Sequence, residues 1–245
     1  MIYDGQDIDM VWIDLDDTLI DFKGASRQAL RQIYADERLD RFFPSPKAWE
    51  TSYEKHNYHL WQLYSGAQVD QATLRMERFR LPLTEADVAD EIARAMSTRM
   101  DPVYLGYLAE ASVLLPGAMP LIDSLKGMGL PIGILSNGFT EVQEHKLRVT
   151  GLDKVIDIMV LSDEIGINKP NVALFDHAMK RAGQSVPSAQ LMIGDNATTD
   201  IAGAISAGWN AILYDRSLPL LHTRGKGYHM VSDLEHIPFL LSHND

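Results

Sequence analysis

Two rhythms of apolar and polar positions alternate along this chain. Five short apolar runs stand out: residues 8–13 (IDMVWI), 131–135 (PIGIL), 156–161 (IDIMVL), 191–193 (LMI) and 211–214 (AILY). Runs this short, rich in branched aliphatics and bounded by polar residues, predict strands buried on both faces. Between and after them lie helix-like segments near residues 118–128, 140–149, 172–182, 200–207 and 234–241. Glycines follow several of these segments (Gly129, Gly151, Gly183 and Gly208), where a helix C-terminus favours a left-handed residue. Strands alternating with helices at this spacing predict βαβ units and a parallel sheet.

Residues from about 19 to 115 break that rhythm. Helix-like segments fall near 25–36, 46–64, 71–79 and 85–98, and no stretch there reads as a strand. The prediction is an α/β chain whose sheet core spans residues 1–20 and 115–245, interrupted by a helical subdomain over 21–114.

Composition narrows the function classes. The chain has 245 residues, 46% of them hydrophobic and 23% charged, enough for a sizeable core and too mixed for long disorder. Zero cysteines exclude disulfides, thiolate metal sites and cysteine nucleophiles. A net charge of −12 argues against a nucleic-acid polymer or an anionic membrane as partner. No apolar run approaches a bilayer span, and the opening MIYDGQDID has neither a basic nor an apolar segment of a secretory signal. A soluble, cytoplasmic protein is expected. An anionic substrate would need local positive charge to overcome the overall field.

Candidate chemistry gathers after the predicted strands. The first run ends in Asp14-Leu-Asp16-Asp17-Thr18, three carboxylates within four residues. Such crowding calls for a compensating partner, either solvent at a strand end or a bound cation. The second run is followed by Ser136-Asn137-Gly138, the third after eight residues by GINKP carrying Lys169, and the fourth by Gly194-Asp195-Asn196 and on to Asp200. In an open parallel sheet, ligands bind beyond the carboxyl ends of the strands, so these four sets would share one edge. Each alone reads as an ordinary turn, an exposed lysine or a helix-start charge.

Taken in order, DLDDT, LSNG, Lys169-Pro170 and GDNATTD resemble the four motifs of the haloacid dehalogenase-like (HAD) hydrolase superfamily, over residues 10–215. The resemblance implies a Rossmann-like parallel-sheet core with an inserted α-helical cap between the first and second motifs. It implies that Asp14 is a nucleophile, that Asp16 moves protons, and that Lys169 supplies fixed positive charge. It further implies Mg²⁺ held by Asp14, the main-chain carbonyl of Asp16, Asp195 and Asp200, the last directly or through water. Ser136, Asn137 and Gly138 would cradle phosphate oxygens, with Thr18 also counted among the substrate-binding residues. Asp17 and Asn196 read as structural, with Thr198 or Thr199 as a helix cap.

Within the cap, Asn57, Trp61 and Tyr64 fall on one helical face, and Trp61 is expected to pack the cap's own core. An edge of that face, with Phe22 and Phe139, would help enclose a base or sugar. The NxxxW, WxxY and YxG features of residues 53–66, with NGFTEVQ and EIGINKP, resemble the pyrimidine-type 5′-nucleotidases of the superfamily. The resemblance implies a small phosphate ester as partner, best a nucleoside 5′-monophosphate. The alternative is a small-metabolite phosphatase acting on a sugar phosphate, phosphoglycolate or an acylneuraminate phosphate. A haloacid dehalogenase would need neither metal nor the acid at Asp16, so Asp16, Asp195 and Asp200 together argue against it.

Overall fold

The computed structural model describes residues 1–225 and 227–241. The chain forms two compact units, one of Met1–Asp21 with Val113–Asp245 and one of Phe22–Ser112. Among the described residues no helix is long and apolar enough to cross a membrane.

The first unit opens with an antiparallel ribbon of β1 (Ile2–Tyr3) and β2 (Gln6–Asp7), which the apolar pattern did not announce. Next comes β3 (Met10–Ile13), four fully buried residues. The helical unit follows, built from α1 (Phe22–Asp36), α2 (Pro46–Ser65), α3 (Gln71–Glu85) and α4 (Asp90–Glu110). Ser45 caps α2 by accepting from Ala48 N, with Pro46 at the first helical position, and Asp70 caps α3 through Thr73 N.

Two helices of this unit depart from expectation. The third runs past Phe79 through Pro82 to Glu85, and the fourth begins at Asp90 and continues through Pro102 to Glu110. A proline inside a helix removes one hydrogen bond. Packing of a buried face outweighs that loss here, since Pro82 itself is buried. The break falls instead at Asp87, with φ 60°.

The helical unit's core is an aromatic cluster. Trp49 and Tyr53 of α2 meet Phe79 of α3 and Tyr104 of α4, with ring centroids 5.0–6.3 Å apart. Trp49 also donates to Leu30 O of α1 at 3.2 Å. Trp61 is not part of that core. The buried stripe of α2 runs through Trp49, Tyr53 and Leu60. Trp61, about 100° further round the helix than Leu60, stays half-buried with its ring edge-on to Tyr64 at 5.6 Å.

Back in the first unit come α5 (Ala118–Gly127), β4 (Ile132–Ser136), α6 (Thr140–Thr150), β5 (Ile158–Leu161), α7 (Val172–Arg181) and β6 (Gln190–Gly194). A single π turn, Ala197–Ile201, leads into α8 (Ala202–Ser206), followed by β7 (Asn210–Tyr214), β8 (His222–Arg224) and β9 (His229–Val231). The segment Leu234–Leu240, expected as an α-helix, is wound as a 3₁₀ helix containing Pro238. Gly151 and Gly208 close the α6 and α8 segments at φ 76° and 77°, as their positions in the pattern predict.

The sheet order is β5-β4-β3-β6-β7-β9-β8, parallel throughout except for the β8–β9 pair. This meets the expectation of a Rossmann-like parallel sheet with inserted helices. Alternate residues face opposite layers. Val11, Ile13, Ile134 and Ile193 pack with α5, while Met10, Trp12, Met192 and Leu213 pack with α7 and the segment after β6. Trp12 lies across Gly133, where an added Cβ would sit 2.5 Å from its ring, and it stacks on Trp209 at 5.7 Å. Because β3 is flanked by β4 and β6, its C-terminal end is brought beside theirs.

Candidate active site

Four loops leave the carboxyl ends of neighbouring strands, and their polar side chains meet in one buried cluster. Asp14 follows β3, its main-chain N–H donating to Ile193 O of β6 at 2.9 Å. Its side chain is 10% exposed, and Oδ1 accepts from Lys169 Nζ at 2.7 Å. Lys169, 2% exposed in its side chain, also donates to Leu135 O at 2.7 Å and lies 2.7 Å from Asp200 Oδ1. The orientation of Lys169 is set from its backbone. Lys169 N donates to Asn137 Oδ1 at 2.8 Å, and Asn137 Nδ2 donates to Lys169 O at 3.1 Å. The amide of Asn137 is therefore committed to holding the Lys169 loop, which leaves its main chain for any contact with substrate.

Asp14, Asp195 and Asp200 each place a carboxylate oxygen within 4.8 Å of the other two. Asp200 is almost closed to solvent; its Oδ2 accepts from Asn196 N at 3.1 Å, while Oδ1 receives no well-directed hydrogen bond despite the nearby ammonium. A buried carboxylate oxygen in that state calls for a further cationic partner. Three hard carboxylate donors at this spacing fit Mg²⁺. Gly194 makes the arrangement possible, because a Cβ there would fall 2.3 Å from Asp200 Oδ2.

Electrostatics at this cluster pull in opposite directions. Burial, then the carboxylates of Asp200 and Asp195, push the Asp14 carboxyl well above the ordinary range, while Lys169 opposes them. For Lys169, burial works against the charge. The Asp14 and Asp200 carboxylates outweigh it and hold the ammonium's pKa above the usual lysine value.

The other expected residues divide by what they touch. Thr18 is fully buried, and its hydroxyl donates to Asp14 Oδ2 at a long 3.4 Å. It braces the carboxylate and presents no surface to a substrate, which corrects the expectation of a substrate contact. Ser136, at the end of β4, accepts from Gly138 N at 3.1 Å and from Gln143 Nε2 at 2.8 Å. Asp17 holds φ 62° and donates its N–H to Ile20 O at 2.8 Å, a turn position with Arg216 3.9 Å away. The cap of the turn after β6 is Asn196, whose Oδ1 accepts from Thr198 N, Thr199 N and Thr198 Oγ1, so neither threonine is the cap. Phe139 is buried where α6 begins. Phe22, Asn57 and Trp61 belong to the helical unit, and Asn57 Oδ1 is buried there without a hydrogen bond.

Asp16 is not one of the three clustered carboxylates. Its Oδ1 accepts from Lys146 Nζ at 2.6 Å and its Oδ2 from Gln143 Nε2 at 2.9 Å, both on α6. Neither partner was singled out as a site residue from the sequence. The available signal was their i, i+3 spacing on a helix that starts right after Ser136-Asn137-Gly138.

Comparison with known proteins agrees with this geometry. A sequence model of the haloacid dehalogenase-like hydrolases matches residues 8–208, and the chain belongs to that family. It is an enzyme of the family's phosphatase type. Pyrimidine 5′-nucleotidase YjjG of Escherichia coli (strain K12) is 32% identical over 200 residues, covering 82% of this chain and 83% of that protein. Pyrimidine 5′-nucleotidase PynA of Streptococcus pneumoniae is 27% identical, covering 82% of this chain and 81% of its own length. The crystal structure of the HAD-hydrolase YfnB of Bacillus subtilis, bound to magnesium, superposes with a TM-score of 0.83 at 25% identity, over 96% of this chain and 99% of that one.

Proposed function

We propose that this chain is a Mg²⁺-dependent phosphatase of nucleoside 5′-monophosphates, pyrimidine nucleotides foremost. The observation that carries the reading is the buried Asp14–Lys169 pair at 2.7 Å beside the Asp195 and Asp200 carboxylates. The two nucleotidase relatives support the choice of substrate class.

Phosphate monoesters hydrolyse extremely slowly in water, so the catalyst faces a very high barrier. A carboxylate nucleophile divides the reaction into two lower steps. In the first, an Asp14 oxygen bonds to phosphorus as the bond from phosphorus to the ester oxygen breaks. The electron pair leaves with that oxygen, and Asp16 gives it a proton. In the second, Asp16 takes a proton from water as the water oxygen bonds to phosphorus. The Asp14–phosphorus bond then breaks, freeing inorganic phosphate and the Asp14 carboxylate.

Lys169, 2.7 Å from Asp14 Oδ1, opposes the burial and the neighbouring carboxylates that raise the Asp14 pKa, and so favours the ionised nucleophile. The Ser136 hydroxyl and the main-chain N–H of Asn137 supply donors for the phosphate oxygens, the Gly138 N–H holding Ser136 Oγ in place. Asp14, Asp195, Asp200 and the Asp16 carbonyl would hold Mg²⁺, which when bound neutralises charge on the transferring phosphoryl group. We assign recognition of the leaving nucleoside to the helical unit through Phe22, Asn57 and Trp61.

The test is a panel of nucleoside 5′-monophosphates against sugar phosphates and phosphoglycolate, with and without chelator. A pyrimidine nucleotide is expected to give the highest kcat/KM, and EDTA to stop turnover. If no nucleotide exceeds the other esters, the nucleotidase reading is lost. Turnover indifferent to EDTA would remove Mg²⁺.

A further inference from the structure

We infer that Lys146 and Gln143 are positioning residues, which fix the carboxyl of Asp16 in the one orientation that proton transfer needs; this rests on the phosphatase reading above. Lys146 is 2% exposed and Gln143 fully buried, yet both send their donors to the same side chain, itself 24% exposed. Each Asp16 oxygen has its own partner, Lys146 Nζ at 2.6 Å on Oδ1 and Gln143 Nε2 at 2.9 Å on Oδ2. One hydrogen bond would leave the carboxyl free to swing about its Cβ–Cγ axis, whereas two from different side chains stop that rotation. The clamp reaches further, because Gln143 Nε2 also donates to Ser136 Oγ at 2.8 Å. One amide thus ties the proton-transfer group to the hydroxyl proposed for phosphate.

Stability alone does not account for this arrangement. Burying an ammonium is costly, and well-packed apolar residues often replace a buried ion pair without loss. The fold also reserves space for the clamp. A Cβ on Gly138 would fall 2.2 Å from Gln143 Nε2, so only glycine at 138 lets the amide reach both partners. Residues 143 and 146, one turn apart on α6, present both donors from a single rigid element.

The readout is how much the leaving group matters. As the bond between phosphorus and the ester oxygen breaks, the electron pair goes to that oxygen while the Asp16 proton moves onto it. 4-Nitrophenolate needs little help from an acid and phenolate needs more, so a misplaced Asp16 penalises phenyl phosphate selectively. The experiment compares kcat/KM for these two esters, which reports on the first chemical step, in the Mg²⁺-loaded full chain. Lys146→Met is expected to lose about 10-fold or more on phenyl phosphate relative to 4-nitrophenyl phosphate. Lys146→Arg, which keeps the charge, restores the wild-type ratio. Gln143→Leu, with Lys146 intact, shows the same skew in smaller measure and carries the test if Lys146→Met fails to fold. Equal losses on both esters in folded variants would overturn the positioning role while leaving the phosphatase reading intact. A folded wild-type chain that cleaves neither ester nor any nucleoside 5′-monophosphate would overturn the phosphatase reading, and this inference with it.

Discussion

Lys169 Nζ sits 2.7 Å from Asp14 Oδ1, and both side chains are nearly closed to water. Removing one member of a buried pair strands the other, at a cost of about 3–5 kcal/mol. In this site the loss is compounded, since Lys169 also stands 2.7 Å from Asp200. Lys169→Met is therefore expected to lower the stability of the metal-free protein by about 3 kcal/mol or more. Added Mg²⁺ should recover part of it. Urea unfolding with EDTA and then with Mg²⁺ checks both halves; an unchanged midpoint in EDTA would contradict the pairing.

Asp14→Asn keeps the shape of the side chain and removes the nucleophile. Turnover of any phosphate ester is expected to fall by about 10³-fold or more, with the far-ultraviolet circular dichroism spectrum unchanged. A variant retaining near-normal kcat would take Asp14 out of the chemistry.

Gly194 is needed for reach, as its neighbour Asp200 occupies the space a side chain would take. Gly194→Ala should displace the Asp200 carboxylate and weaken Mg²⁺ binding by about 10-fold, the scale on which groups supporting a metal site act. Titration calorimetry with Mg²⁺ measures this directly. Wild-type affinity in the alanine variant would show that Asp200 tolerates the shift.

His222 lies on an edge strand, its Nε2 2.6 Å from His229 Nδ1, while His229 Nε2 lies 3.1 Å from Asp4 Oδ1. Burial first, then His229, His236 and Arg224, hold the His222 pKa below the ordinary histidine value. The native state therefore binds fewer protons at this residue than the unfolded state, whose histidines titrate near ~6.5. Its contribution to stability is present above that pH and is lost as pH falls through the folded-state value. His222→Asn should flatten the decline of Tm between about pH 7 and pH 5. Parallel slopes for variant and wild type would remove His222 from that dependence.

The sequence by itself determined the order of strands and helices and the edge of the sheet at which the polar residues gather. Apolar runs too short for helices had to become strands, and the helix-like segments between them forced a parallel sheet. That topology alone sends Asp14, Ser136, Lys169 and Asp195 to one edge, because every parallel strand ends on the same side. The helical insertion was legible from the lack of any strand between β3 and α5. Tertiary structure decided what each side chain does there. Asn137 holds Lys169, Thr18 braces Asp14, and Trp49, not Trp61, anchors the helical unit. Asp16 meets Gln143 and Lys146 across 127 and 130 residues of chain, and no periodicity encodes a pairing that distant. It exists because β3 and β4 are sheet neighbours, which sets the start of α6 beside the turn that follows Asp14. Local pattern fixes where a strand ends; only packing fixes which donors are waiting there.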